Sequence, residues 1–351
     1  MVSIKIGNKN ISKKSDCFII AEAGVNHNGR LSLALKLVDL AAKAGADAVK
    51  FQTFQAEQVV TAKGEMAEYQ KKNTGKNEPQ IKMIKRLELN EKFYKPIIGR
   101  CKKRGILFLS TPHGHIKSAN FLQKLGMLAF KIGSGDLTNK PLLEHVAKFG
   151  KPVILGTGMA TLHEVKNAVN WIKKAGNKKI IILHSTTNYP CPQEEVNLRA
   201  MQTMMKKMSR YFVGYSDHTI GSFASIIAVA LGAKVLEKHI TLNKNLPGPD
   251  HKASSSPNEF KGTVKAIRNV NRILGLSLKK PTKSELTLMP IIRKSLVAGK
   301  KIKKGECFSF KNLTVKRPGT GLKPEMIYKI IGKTAKKEIL PDELIKQSFI
   351  A

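Results

Sequence analysis

Lysine is seldom placed inside an apolar run without a partner, because burying an unpaired ammonium is costly. This 351-residue chain does so twice, at Lys50 in AVKFQT and at Lys131 in AFKIGS. Two cations aimed into one mouth would pair with a multiply charged anion, a phosphate or a carboxylate. Each could instead snorkel outward to solvent. Glu22 lies near the end of the run FIIAEA. A carboxylate there can serve as a general acid or base, or stabilise a cationic intermediate; it can also simply neutralise one of the lysines. His218 and His239 close two later runs, GYSDH and LEKH. If their imidazoles meet, they can hold a divalent metal and leave positions open for water and a substrate oxygen. Hydrogen-bonded histidines standing behind a site would look the same in sequence. His27, His113, His115 and His184 are poorer candidates, and His184 is expected to be a satisfied core histidine.

These residues belong to a repeated pattern: a short apolar run, then a stretch with helical spacing. Eight runs occur, Phe18–Ala23, Ala48–Thr53, Ile106–Thr111, Ala129–Ser134, Pro152–Thr157, Ile180–Ser185, Tyr211–Asp217 and Lys234–Ile240. Thr161 with Glu164, and Ser256 with Pro257 and Glu259, read as helix starts. Glycines 45, 105, 126, 150, 176 and 232 read as helix ends. Strand–helix alternation implies parallel strands joined by right-handed crossovers, and eight units make a (β/α)₈ barrel. A doubly wound sheet is disfavoured because the first loop, GVNHNG, lacks the Gly-rich fingerprint of that fold. In a barrel, catalytic groups project from the C-terminal strand ends. Every run here has polar residues at or near that end, among them Gln52, Thr111, Ser134, Ser216 and Glu237. The long polar gap from Phe54 to Gly105 suggests an excursion over the mouth.

A composition shift follows Gly275. Residues 1–275 are expected to form the barrel, 276–292 (LSLKKPTKSELTLMP and two further residues) a linker, and 293–351 a small strand-rich domain. Hydrophobic residues make up 42% of the chain, enough for a large core. No run approaches the roughly 18 to 20 apolar residues of a membrane span. The segment MVSIKIGNKNISKK lacks the apolar core of a signal peptide. A cytoplasmic location is expected, with no membrane partner. The four cysteines form no CxxC pair, and reduced thiols fit them best. The net charge of +37 is spread along the chain rather than gathered into a stripe or tail, so it favours anionic substrates and not nucleic acid.

The motifs AEAGVNHNG, VKFQTF, FLSTP, FKIGSGD, LGTGMAT, HSTTNYPCP, GYSDHTIG and LEKHITLNKNLPGPDHKAS occur in this order. Together they resemble the sialic acid synthase family. VKRPGTG and GKTAKKEILPDELI resemble that family's C-terminal domain related to type III antifreeze proteins, the SAF domain. The resemblance spans nearly the whole chain. It implies condensation of phosphoenolpyruvate with an N-acetylated hexosamine and water, giving a nonulosonic acid and phosphate. It further implies a divalent metal on His218 and His239, manganese first, with magnesium or cobalt as alternatives. Lys50, Thr111, Lys131, Ser134 and Ser216 match positions that bind phosphoenolpyruvate, and Glu22 the acid/base position. Gln52, Asp136, Tyr189, Glu237 and Asp250 match positions lining the sugar site. Arg317 matches an arginine that the SAF domain supplies to the partner's barrel in a domain-swapped homodimer. Some members differ at Gly156, Thr187 and Asp136. N-acetylmannosamine is the expected sugar, making N-acetylneuraminate. A 2,4-diacetamido-trideoxyhexose, as in a legionaminic or pseudaminic acid synthase, is the alternative, and a non-catalytic sugar- or polyanion-binding protein is the alternative of another class.

Overall fold

In the computed structural model, which describes residues 3–351, all eight apolar runs are strands, and they close into one parallel barrel. After an antiparallel hairpin, β1 (Ser3–Ile6) and β2 (Lys9–Ser12), come the barrel strands β3 (Phe18–Gly24), β4 (Ala48–Thr53), β5 (Leu107–Pro112), β6 (Phe130–Ile132), β7 (Val153–Gly156), β8 (Ile180–His184), β9 (Phe212–Asp217) and β10 (Val235–His239). β10 pairs back onto β3 and completes the ring. The strands are buried along nearly their whole length because helices cover their outer faces. The expected helix signals hold. Thr161 and Glu164 form a reciprocal capping box at the head of the helix Leu162–Lys174, and the six helix-ending glycines all have positive φ.

The hairpin was not read from the sequence. Its Ile4, Ile6 and Ile11 are buried and join the barrel core, while alternate residues face out. A Cβ on Gly7, in its turn, would lie 2.8 Å from Leu107 Cδ2, so the hairpin sits at the N-terminal end of β5. That is the end opposite the one where barrel chemistry is expected. On β9, Gly214 cannot carry a side chain, since a Cβ there would lie 2.1 Å from the Val235 carbonyl oxygen of β10.

Strand register decides which polar residues meet. Glu22 of β3 stands opposite Lys50 of β4 and His239 of β10. Ser216 of β9 stands opposite Glu237 of β10. Because side chains alternate between faces, Glu237 and His239 share the inner face while Lys238 points outward to the helix layer. The excursion between β4 and β5 holds three short helices, Ala56–Val59, Glu68–Thr74 and Gln80–Lys85. Its Asn73 Nδ2 donates to the carbonyl of Pro249, in the loop after β10, at 2.7 Å.

Residues 276–351 form a second compact unit. Its strands β11 (Ser295–Ala298) and β12 (Leu313–Lys316) pair antiparallel, and single bridges such as Val297 to Leu344 and Ile302 to Ile339 extend the pairing. Leu296, Ile302, Phe308, Leu313, Ile339 and Ile345 fill its core. The segment 276–292, expected as a linker, is not irregular throughout: Lys283–Ile292 is helical, with Thr282 and Glu285 as its capping box. Among the described residues no helix is long and apolar enough to cross a membrane.

Candidate active site

A cavity of about 300 Å³ opens at the C-terminal end of the barrel strands. Its floor is a row of alternating charges. Lys50 Nζ lies 2.7 Å from Glu22 Oε2 and 3.8 Å from Glu237 Oε1, and Lys131 Nζ lies 3.3 Å from that same Glu237 oxygen. All four side chains are almost fully buried, so each charge depends on its neighbours. Burial pushes the Glu22 carboxyl up, and Lys50 only partly offsets this. Burial works against charge on Lys50, but Glu22 and Glu237 outweigh it and raise the ammonium. Burial lowers Lys131, with Glu237 opposing the shift and Lys50 adding to it. Burial disfavours charge on Glu237 as well, yet Lys131 and Lys50 hold its carboxyl low. The floor thus places two lysines and two carboxylates in mutual contact, each holding its neighbour's charge away from water.

Hydroxyl groups ring this floor. Thr111 Oγ1 accepts from Lys50 Nζ at 3.1 Å, and Ser216 Oγ donates to Glu237 Oε1 at 3.2 Å. Ser134 Oγ accepts from the Gly158 amide at 2.9 Å and lies 3.3 Å from Ser185 Oγ. Gln52 Nε2 donates to Glu22 Oε1 at 3.1 Å.

His218, His239 and Tyr189 make an aromatic cluster at the side of the cavity. The two imidazole centroids are 5.4 Å apart, and the Tyr189 ring lies 4.2 Å from His218 and 5.3 Å from His239. His218 Nδ1 donates to the Thr186 carbonyl at 2.6 Å, which places the lone pair of the neutral ring on Nε2, 3.4 Å from Ser216 Oγ. Burial lowers His218 to about 4 and holds His239 well below its ordinary value, with the charge of His218 adding to the latter. Both rings are therefore neutral at pH 7 and have lone pairs to give. His239 Nδ1 is buried without a hydrogen-bond partner, 3.8 Å from Asp250 Oδ2. Burial, with Glu22 nearby, pushes Asp250 up to about 7. Two neutral imidazoles, one with its tautomer fixed by a carbonyl, fit a divalent cation. Among the described residues no group of three or more His, Cys, Asp or Glu side chains is arranged to hold a metal, so any such ion would take its remaining ligands from water and substrate.

Twelve of the fourteen residues singled out in the sequence line this cavity. Asp136 does not. Its carboxylate accepts the Gly114 amide at 2.9 Å and Asn139 Nδ2 at 3.1 Å, so it braces the loops after β5 and β6. Arg317 lies just past β12 in the second unit and is exposed. His184 is satisfied as expected, with Nε2 2.8 Å from the Val196 carbonyl oxygen. His113, ranked as a poorer candidate from the sequence, and Thr187, noted there only as a position where family members differ, both line the cavity; the Thr187 hydroxyl has no hydrogen-bond partner among the described residues. The sequence reading missed Val25 and Phe54, close after Glu22 and Gln52, and Val59, Tyr69, Gln70, Gln80, Met83, Ile84 and Leu87 from the excursion.

Residues 37–279 match the NeuB family, and residues 293–351 match the SAF domain. The chain is 50% identical over 331 residues to N,N'-diacetyllegionaminic acid synthase of Campylobacter jejuni, covering 94% of this chain and 98% of that protein. It is 45% identical over 320 residues to the Legionella pneumophila protein of the same name, covering 90% and 89%. The solved structure of an N-acetylneuraminic acid synthetase from Leptospira borgpetersenii, in complex with citrate, superposes with a TM-score of 0.71 at 35% identity, covering 81% of this chain and 94% of that one.

Proposed function

Since the chain belongs to the NeuB family, a family of sialic and nonulosonic acid synthases, we propose that it condenses phosphoenolpyruvate with a 2,4-diacetamido-trideoxyhexose to give an N,N'-diacetylated nonulosonic acid and phosphate. The observation that carries the reaction is the buried row Glu22, Lys50, Glu237 and Lys131 at the barrel mouth. The sugar follows from similarity. The relative at 50% identity is named for legionaminic acid, while the N-acetylneuraminic acid synthetase stands at 35%, so the expected N-acetylmannosamine gives way to its alternative.

In this reading Lys50 and Lys131 take the phosphate and carboxylate of phosphoenolpyruvate, with Thr111, Ser134 and Ser216 as hydroxyl donors. Gln52, Tyr189, Glu237 and Asp250 hold the open-chain sugar. A divalent ion, manganese by preference, held by His218 and His239 would polarise the aldehyde oxygen. The methylene carbon of phosphoenolpyruvate forms a bond to the aldehyde carbon as the carbonyl pair moves onto its oxygen, leaving an alkoxide. Positive charge develops at the carbon bearing the phosphate, where the buried Glu22 carboxylate stabilises it. Water adds there and gives its proton to Glu22. Glu22 passes that proton to the alkoxide; the bond from the tetrahedral carbon to the bridging phosphate oxygen then breaks, the departing phosphate takes the proton of the newly added hydroxyl, and a ketone remains. A carboxyl pushed up by burial suits a group that must take a proton and return it in each turnover.

The test is phosphate release from phosphoenolpyruvate and manganese, with each amino sugar in turn. The reading expects the 2,4-diacetamido-trideoxyhexose to give the highest kcat/KM; faster turnover of N-acetylmannosamine would contradict it.

A further inference from the structure

The cavity has a charged floor and one apolar wall. Val25 and Phe54 rise directly above the ends of β3 and β4, three residues after Glu22 and two after Gln52. Val59, Met83, Ile84 and Leu87 join them from the excursion. Val25, Phe54 and Leu87 form an apolar cluster separate from the barrel core, with Val59 and Ile84 packed against it. Were this cluster only a peg fastening the excursion to the barrel, its side chains would close on each other. Instead all six line the same cavity as Glu22, Lys50 and Lys131.

We infer that this wall selects the deoxygenated end of the sugar. The inference rests on the proposed reaction. The aldehyde must meet phosphoenolpyruvate over the lysines, which leaves the remote end of the chain to the residues above β3 and β4. In a 2,4-diacetamido-2,4,6-trideoxyhexose that end carries the C6 methyl and the methyl of the 4-acetamido group. N-acetylmannosamine carries hydroxyls on both carbons. The side chains of Val25, Phe54, Met83 and Leu87 carry no hydrogen-bonding oxygen or nitrogen, so hydroxyls set against these four lose water without gaining a partner from them, although Tyr69, Gln70 and Gln80 of the excursion also line the cavity. An apolar pocket discriminates against one added hydroxyl by only about 100-fold. The wall therefore sets a strong preference and not an absolute one.

The experiment compares kcat/KM for the two sugars in the wild-type chain, in Met83→Gln and in Ile84→Gln. Glutamine nearly matches methionine in shape and adds a polar end. Ile84 is only half-buried, so its variant stays informative if Met83→Gln fails to fold. The expected wild-type ratio is on the order of 100 in favour of the trideoxyhexose. It should fall at least tenfold in either folded variant, with the change in sugar KM and phosphoenolpyruvate binding retained as a sign that the floor is intact. A wild-type chain that prefers N-acetylmannosamine overturns the proposed substrate, and the wall with it. A wild-type preference for the trideoxyhexose that both variants keep overturns the wall alone.

Discussion

Glu22 Oε2 and Lys50 Nζ lie 2.7 Å apart on neighbouring strands, and neither side chain is more than 3% exposed. A buried pair of this kind is weak evidence of stability by itself, but removing one partner leaves an uncompensated charge. Glu22→Ala should therefore destabilise the barrel by about 3 kcal/mol, the low end of that class, because Glu237 still faces Lys50. Glu22→Gln should fold and keep phosphoenolpyruvate affinity or improve it, while kcat falls by about 100-fold or more. Urea unfolding and steady-state kinetics separate the two effects. An unchanged kcat in Glu22→Gln would reduce Glu22 to a counter-ion.

Among the described residues Lys131 contacts one carboxylate, Glu237, whereas Lys50 contacts both Glu22 and Glu237. Lys131→Met keeps its length and removes its charge. The KM for phosphoenolpyruvate should rise about 10- to 100-fold, the value of one charged hydrogen bond, with little change in the sugar KM. Equal KM values for the variant and the wild type would show that the lysine faces something else.

The barrel was legible because strands covered on both faces read as unbroken apolar runs, and a charged residue inside such a run is conspicuous. Lys50, Lys131 and Glu237 stood out for that reason. The apolar wall did not. Val59, Met83 and Leu87 lie in an excursion cut into short helices, where no period lasts long enough to assign a face. That the Asp136 carboxylate is engaged by Gly114 and Asn139 was not legible, because these partners come from two loops that only the fold brings together. The helix 283–292 was hidden by Pro281 and Pro290, although its capping residues are plain in hindsight.

Behind the two histidines runs a second buried pair. Lys238 Nζ lies 2.8 Å from Asp217 Oδ2 and 2.9 Å from the Thr219 carbonyl, and Asp217 Oδ1 accepts the Thr219 amide at 2.9 Å. Ser225, from the outer helix Phe223–Ala230, also donates to Asp217. This network fixes the backbone on either side of His218 and the residue before His239. Lys238→Met should cost about 3 to 5 kcal/mol in urea unfolding. In combination with Asp217→Asn the loss should be smaller than the sum of the single losses. Manganese affinity, measured by titration without substrate, should fall about 10- to 100-fold in each single variant. Full manganese affinity in Lys238→Met would limit the pair to a structural role.

Burial lowers His27 to about 4, with the charge of His251 adding to the shift, and burial lowers His251 to about 4 as well. Both lie below the ordinary 6.5 of an unfolded histidine, so the unfolded chain binds the extra protons. Stability is fully present above pH 6.5 and is lost as pH falls towards about 4. Between pH 7 and pH 5 each ring should account for about 2 kcal/mol of loss. His27→Phe should start from a lower stability and lose about that much less on acidification, by urea unfolding at the two pH values. An identical pH dependence in the variant would refute the assignment.

The central claim is that this cavity makes a carbon–carbon bond between phosphoenolpyruvate and an amino sugar. Phosphoenolpyruvate labelled with ¹³C at its methylene carbon, incubated with the chain, manganese and the 2,4-diacetamido-trideoxyhexose, tests it directly. The account predicts that the label appears as a methylene bonded to the former aldehyde carbon, in step with phosphate release, and that a chelator stops both. Label recovered as pyruvate beside unchanged sugar would contradict it.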